Sequence, residues 1–267
     1  FFSEEMNRKA LESRQMELDL RRALDNNEFF LAYQVQWDLR SNRVVGAEAL
    51  LRWNHPEKGL VPPDQFIPLA EETGLIEPIG DWVLRTACNQ NKIWQKAGYS
   101  PIRIAVNLSA HQLRQKDFLA LVDQVLQETG LDPCWLELEL TESMLMNNAD
   151  FNQDLLAEIS KRGILLSIDD FGTGYSSLSY LKNFTVNRIK IDRSFVGQLP
   201  DDLNDAAIVE TILAMARTLK LEVIAEGVET VEQLNFLNKL DCQIVQGYFL
   251  GRPQAADLFV KHLETLV

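Results

Sequence analysis

Seven short hydrophobic runs along this chain each end in a carboxylate, an amide or a lysine: Glu48, Asn107, Glu139, the pair Asp169-Asp170, Lys190, Glu226 and Gln246. The runs VVGAEALLRW, IRIAVNLS (102–109), LELELTE (136–142), ILLSIDD (164–170), RIKID (188–192), EVIAEGV (222–228) and QIVQGYFL (243–250) read as strands. Helical patterns follow most of them, near 115–129, 150–162, 176–183, 204–219 and 230–240, with a last helix running to the C-terminus. A longer helical region spans Pro63 to Ala97 and breaks near Gly74–Pro78.

An eighth strand, FFLAYQVQW, precedes the others and is joined to VVGAEALLRW only by the polar turn Arg40-Ser41-Asn42-Arg43. So short a connection makes a hairpin, so the first strand is antiparallel to the second. Strand–helix alternation through the rest implies a parallel sheet, and eight strands allow it to close. The predicted fold is a TIM-like (β/α)8 barrel with an antiparallel first strand. Such barrels build their sites from polar groups at strand C-termini.

Residues 3 to about 26 carry Met6, Leu11, Met16, Leu20 and Leu24 without Gly or Pro, the pattern of a helix with a partial apolar face. It reads either as a surface helix packed on the barrel or as a connector from an upstream domain. The expected organisation is a connector helix over 1–26 and one catalytic domain over 27–267. The chain opens on Phe1, so a longer parent protein is expected.

Composition narrows the function classes. A net charge of -13 argues against polymeric nucleic acid as a partner, while a small anionic ligand stays compatible if metal ions reverse the local field. Only three histidines are present, so a histidine-rich zinc site such as HExxH is excluded. Three dispersed cysteines fit a reducing, cytoplasmic setting, and no apolar stretch reaches membrane-spanning length.

The strand ends offer oxygen ligands and one lysine, which suits a hard cation such as Mg²⁺ or Mn²⁺ and an anionic substrate. If the barrel closes, Glu48, Asn107, Glu139, Asp169 and Asp170 converge. Two ions about 3.5–4 Å apart can then clamp a phosphoryl group. Lys190 is a candidate fixed cation near the attacking water, Glu226 a metal ligand or base, and Gln246 an amide contact to substrate or water. Arg52 can pair with phosphate and Asp192 can accept from a base edge; either also reads as a surface ion pair. Trp53, Trp82, Trp94 and Trp135 read as core. The glycine- and serine-rich DFGTGYSSL (170–178) reads as a lid or an ordinary βα loop.

EALLRW, NLS, ELTES, DDFGTGYSSL, KIDRSF, AEGVET and QGYFLGRP occur in that order, and with them the chain resembles the EAL-domain cyclic-di-GMP phosphodiesterases over about residues 27–267. The resemblance implies hydrolysis of cyclic-di-GMP to linear pGpG with two Mg²⁺ or Mn²⁺ ions. It implies metal-ligand roles for Glu48, Asn107, Glu139 and Asp169, and a second-metal role for Asp170. Lys190 and Glu226 would then act on the water, Gln34, Arg52, Asp192 and Gln246 on the substrate, and Glu142 in support of the lid loop. It further implies an upstream diguanylate cyclase-like or sensory domain, and a cytoplasmic location, with or without a membrane anchor elsewhere in the full-length protein. A homodimer through the surface beside 170–178 is also expected. One departure stands out: the family's first strand reads YQP followed by an aliphatic pair, where this chain has Tyr33-Gln34-Val35-Gln36-Trp37. The competing readings are a non-catalytic cyclic-di-GMP receptor and a different metal-dependent barrel enzyme.

Overall fold

In the computed structural model, residues 2–146, 149–174 and 184–264 are described. β1 (Phe29–Asp38) and β2 (Arg43–His55) form the expected hairpin, antiparallel in register, with Gln34 directly opposite Glu48. The turn closes because Asp38 accepts from the backbone N–H groups of Arg40 and Ser41, at 2.8 and 2.9 Å, and Asn42 takes a left-handed φ of 54°.

β2 then pairs in parallel with β4 (Arg103–Asn107), and parallel pairing continues through β5 (Leu136–Thr141), β6 (Leu165–Phe171), β7 (Arg188–Ile191), β8 (Glu222–Ala225) and β9 (Ile244–Val245). β9 meets β1 antiparallel and closes the barrel. A short strand the sequence reading did not find, β3 (Gly59–Val61), is appended to β2. The fold is thus a TIM-type barrel in which β1 runs against both its neighbours.

β5 illustrates why these residues make these elements. Leu136, Leu138 and Leu140 are fully buried in the apolar core, while the alternate positions Glu137 and Glu139 reach arginine and lysine on β7. Period-two alternation therefore gives β5 an apolar face and a charged one.

The helices follow their expected positions with local differences. The 63–97 region divides into α2 (Pro63–Thr73) and α3 (Ile76–Lys96), because Gly74 adopts φ 75° and stops the first helix. The expected 115–129 helix is preceded by a separate turn of helix, Ala110–Leu113, with a capping box between Ser109 and Gln112. Of the expected 243–250 strand only Ile244–Val245 pairs. Beyond it Gly247 lies so close to the Val228 backbone that a side chain there would collide, and the chain turns away. The expected helix near 176–183 lies outside the described residues, as do positions 175–178 of the lid.

α1 (Phe2–Ala23) lies on the barrel through Leu20 and Ala23. His55 Nε2 lies 3.2 Å from Asp19, while its Nδ1 accepts from the N–H groups of Glu57 and Lys58. Trp53 and Trp94 are buried, and Trp82 and Trp135 pack partly buried against the core, as expected. Among the described residues no helix is long and apolar enough to cross a membrane.

Candidate active site

Lys190, on β7, is the centre of the site. Its Nζ is 2.7 Å from Glu139, 2.7 Å from Glu226, 3.1 Å from Asp169 and 3.5 Å from Glu48, and the side chain is 1% exposed. Four carboxylates from β2, β5, β6 and the end of β8 thus meet one ammonium group inside the barrel mouth. Two further strand ends complete the ring. Asn107 donates to Glu48 Oε1 at 2.7 Å, and Gln246 donates to Glu48 Oε2 at 2.5 Å and to Gln34 Oε1 at 3.2 Å. Gln34 donates in turn to the carbonyl of Gly251 at 3.2 Å.

The electrostatics follow from this crowding. Burial pulls the Lys190 ammonium toward the neutral form, but Asp169, Glu139, Glu226 and Glu48 outweigh it and hold the proton well above the usual lysine range. Burial pushes Glu139 well above the carboxylate range, Lys190 opposes this, and Glu48 and Asp169 add to it. Glu48 is held below its usual value: burial works against this, but Lys190 and the bonds from Gln246 and Asn107 prevail. Burial raises Glu226 to about 8, with Lys190 opposing and Asp169 and Glu48 reinforcing.

Glu48, Glu139 and Asp169 each bring a ligand oxygen within 4.8 Å of the others. Glu139 Oε1 is buried and has no hydrogen-bond partner among the described residues. An oxygen-only cluster with excess negative charge and an unused carboxylate oxygen fits a hard divalent cation.

The remaining expected residues stand around this ring. Asp170 is exposed at its outer edge, with a left-handed φ of 53°; partial desolvation of its carboxyl by the surrounding barrel mouth, then Asp169 and Asp192, raise its pKa. Glu142 begins the helix Glu142–Met146 and its Oε2 accepts from Gly172 N–H at 3.1 Å, tying the start of the loop to β5's end. Asp192 caps the helix Arg193–Val196, accepting from Ser194 N–H at 3.0 Å through Oδ1. Arg52 is not joined to the Lys190 ring; it donates to the Leu51 carbonyl at 2.9 Å and lines a largely apolar cavity of about 520 Å³ that shares the Asn107 wall.

The site opens into a cavity of about 220 Å³, lined by Gln34, Glu48, Asp169, Lys190, Glu226 and Gln246. Arg193, Glu229 and Tyr248 also line it, and sequence reasoning gave none of these a role. Beneath lies a second charged level that it also missed. Arg188, 1% exposed, pairs with Glu137 at 2.5 Å and Glu222 at 2.6 Å, and Arg103 reaches Glu222 at 2.9 Å. The signal was present in LELELTE, where Glu137 shares a face with Glu139.

A closed barrel with an oxygen-donor cluster and a buried lysine at the C-terminal ends of its strands defines a barrel protein built around a hard-cation site. Within that class, the chain belongs to the EAL domain family, whose model matches residues 17–253. It is similar to the bifunctional diguanylate cyclase/cyclic di-GMP phosphodiesterase MucR of Pseudomonas aeruginosa, at 48% identity over 257 residues, covering 96% of this chain and 38% of that protein. It is 40% identical over 258 residues to the cyclic di-GMP phosphodiesterase PdeR of Escherichia coli, covering 97% of this chain and 39% of that protein. The chain thus spans about two fifths of these relatives' length. Its fold matches a solved structure described as PaMucR phosphodiesterase in complex with c-di-GMP, with a TM-score of 0.89 and 47% identity, over 92% of this chain and 99% of that one.

Proposed function

We propose that this chain hydrolyses one phosphodiester bond of cyclic-di-GMP, giving linear pGpG, in bacterial second-messenger signalling. The observation that carries the reading is the convergence of Glu48, Glu139, Asp169 and Glu226 on Lys190, with Asn107 and Gln246 bonded to Glu48. The names of the relatives and of the MucR complex supply the substrate.

Glu48, Asn107, Glu139 and Asp169 would hold one Mg²⁺ or Mn²⁺ ion, and Asp170 would contribute to a second. When bound, such ions polarise the phosphoryl oxygens and make water more acidic. Glu226, in the ionised form that Lys190 supports from 2.7 Å, takes the proton from the attacking water. The water oxygen bonds to phosphorus, the bond to the 3′ oxygen breaks, and that oxygen is protonated from solvent. Lys190 keeps the four carboxylates in place and presents a fixed positive charge beside the reacting group. Gln34 and Gln246, bonded to each other, form an amide edge for substrate, Arg52 and Asp192 reach it from the rim, and Glu142 holds the loop at Gly172.

The test is turnover: purified chain with Mg²⁺ or Mn²⁺ converts cyclic-di-GMP to pGpG, and Glu48→Ala abolishes it. Binding without product in either metal would leave the receptor reading in its place.

We further infer that the chain works as a cytoplasmic module downstream of a cyclase-like or sensory domain, joined through the segment 1–26. The same reading includes a homodimer through the apolar groove of Phe171, Gly172, Ile208 and Ile212. The length of the relatives and the exposure of Ile208 support it. A monomer by light scattering at micromolar concentration, with full activity, would count against the dimer.

A further inference from the structure

The charged residues that line the site cavity are Glu48, Asp169, Glu226 and Glu229, against Lys190 and Arg193. The two cations are not equivalent. Lys190 is 1% exposed and its ammonium faces four carboxylates, so its charge is neutralised inside the barrel. Arg193 is exposed, and its guanidinium has no carboxylate partner among the described residues.

Arg193 is also held in place at the cavity rim. It is the first residue of the helix Arg193–Val196, fixed by the Asp192 cap and by the Gly197 N–H bond to the Arg193 carbonyl at 2.9 Å. Gly227, with φ 73°, packs against the Arg193 backbone and Cβ so closely that any side chain at 227 would collide with it. The backbone at 193 is therefore closely packed, while the guanidinium stands exposed and unpaired with a carboxylate among the described residues.

Cyclic-di-GMP carries two phosphodiester anions. One sits at the reacting centre; Lys190 cannot supply a cation for the other, and since Arg52 lines the neighbouring apolar cavity, Arg193 is the remaining cation on the wall of the site cavity itself. A guanidinium fork matches two oxygens of a phosphodiester. Resting on the reading of cyclic-di-GMP as substrate, we infer that Arg193 binds the uncleaved phosphodiester and so selects a substrate with two linked phosphates over one with a single phosphate.

Binding of a phosphorothioate analogue of cyclic-di-GMP, measured by calorimetry in Mg²⁺, tests this. Arg193→Ala raises Kd about tenfold, the order expected for losing one charge-assisted contact at an exposed site. Arg193→Lys falls between, and Arg193→Ala flattens the salt dependence of Kd. In turnover, the ratio of kcat/KM for cyclic-di-GMP to that for bis(p-nitrophenyl) phosphate, which has one diester, falls by a similar factor. Thermal melts of both variants report whether each is folded. An unchanged Kd in a folded variant overturns the assignment, and so does an equal loss on both substrates. If the parent chain binds the analogue but hydrolyses nothing, the phosphodiesterase reading fails while the Arg193 binding result still stands or falls on its own.

Discussion

Lys190 Nζ lies 2.7 Å from Glu139 Oε2, while the other oxygen of the same carboxylate is buried with no hydrogen-bond partner among the described residues. Half of Glu139 is thus committed to holding the ring together and half is available to a cation. Three more carboxylates share the lysine, so removing it leaves several negative charges together out of water. Lys190→Met is expected to destabilise the metal-free protein by about 3–5 kcal/mol, the cost of breaking a buried ion pair from one side. For a chain of this size that lowers Tm by roughly 10 °C. Melts in EDTA measure it, and an unchanged Tm would show that the four carboxylates tolerate one another without the lysine.

Glu226 sets a pH dependence. Burial lifts its folded-state pKa to about 8, above the ordinary carboxylate value of 4.5. A group raised on folding binds its proton more tightly in the native state, so its stabilisation is complete below pH 4.5 and is lost as pH rises toward 8. Between these values the metal-free parent chain should lose stability relative to Glu226→Gln, which cannot titrate. The quantity to follow is the Tm difference between the two proteins in EDTA across that window. A difference that stays constant, or moves in favour of the parent chain as pH rises, would contradict the assignment.

Glu142 accepts from Gly172 N–H at 3.1 Å and is 3% exposed, so it ties the residue after β5 to the start of the loop that follows Asp170 and Phe171. Glu142→Ala removes that acceptor, and a charge-assisted bond of this kind contributes about 1.5–3 kcal/mol. The expected result is a fall in kcat/KM of roughly tenfold or more, with faster amide exchange at 172–174. Glu142→Gln keeps a carbonyl acceptor and recovers part of the loss. If amide exchange at 172–174 is unaffected by Glu142→Ala, the tie does not order the loop.

The ring around Lys190 was legible in the sequence because polar types at the ends of apolar runs are costly unless they converge. Glu48, Asn107, Glu139, Asp169, Lys190, Glu226 and Gln246 do meet. What the pattern cannot give is the partner across the barrel. Glu137 and Arg188 come together from β5 and β7, 51 positions apart, and nothing local in either strand says so. Competition for the same atom is equally hidden: Asp192 reads as a free acceptor in KIDRSF, yet one of its oxygens caps a helix. Boundaries that depend on close backbone approach, such as the early end of β9 at Gly247, are invisible for the same reason.

The Tyr33-Gln34-Val35-Gln36-Trp37 segment has a testable consequence in Gln36. It pairs with Gly46 across the hairpin and is fully buried, and neither of its amide atoms has a hydrogen-bond partner among the described residues. Its Oε1 occupies the space a side chain at position 46 would need, with the Arg103 carbonyl the next nearest group. Gly46→Ala is therefore expected to destabilise the chain by about 1–3 kcal/mol through overpacking. In a Gln36→Ala background the same substitution has room, and its cost should largely disappear, giving a coupling energy of about 1 kcal/mol or more between neighbours. Urea denaturation of the four proteins in this cycle measures the coupling. Additive effects would mean that Gly46 is held by its own backbone conformation or by the nearby Arg103 carbonyl, and that Gln36 plays no part in it.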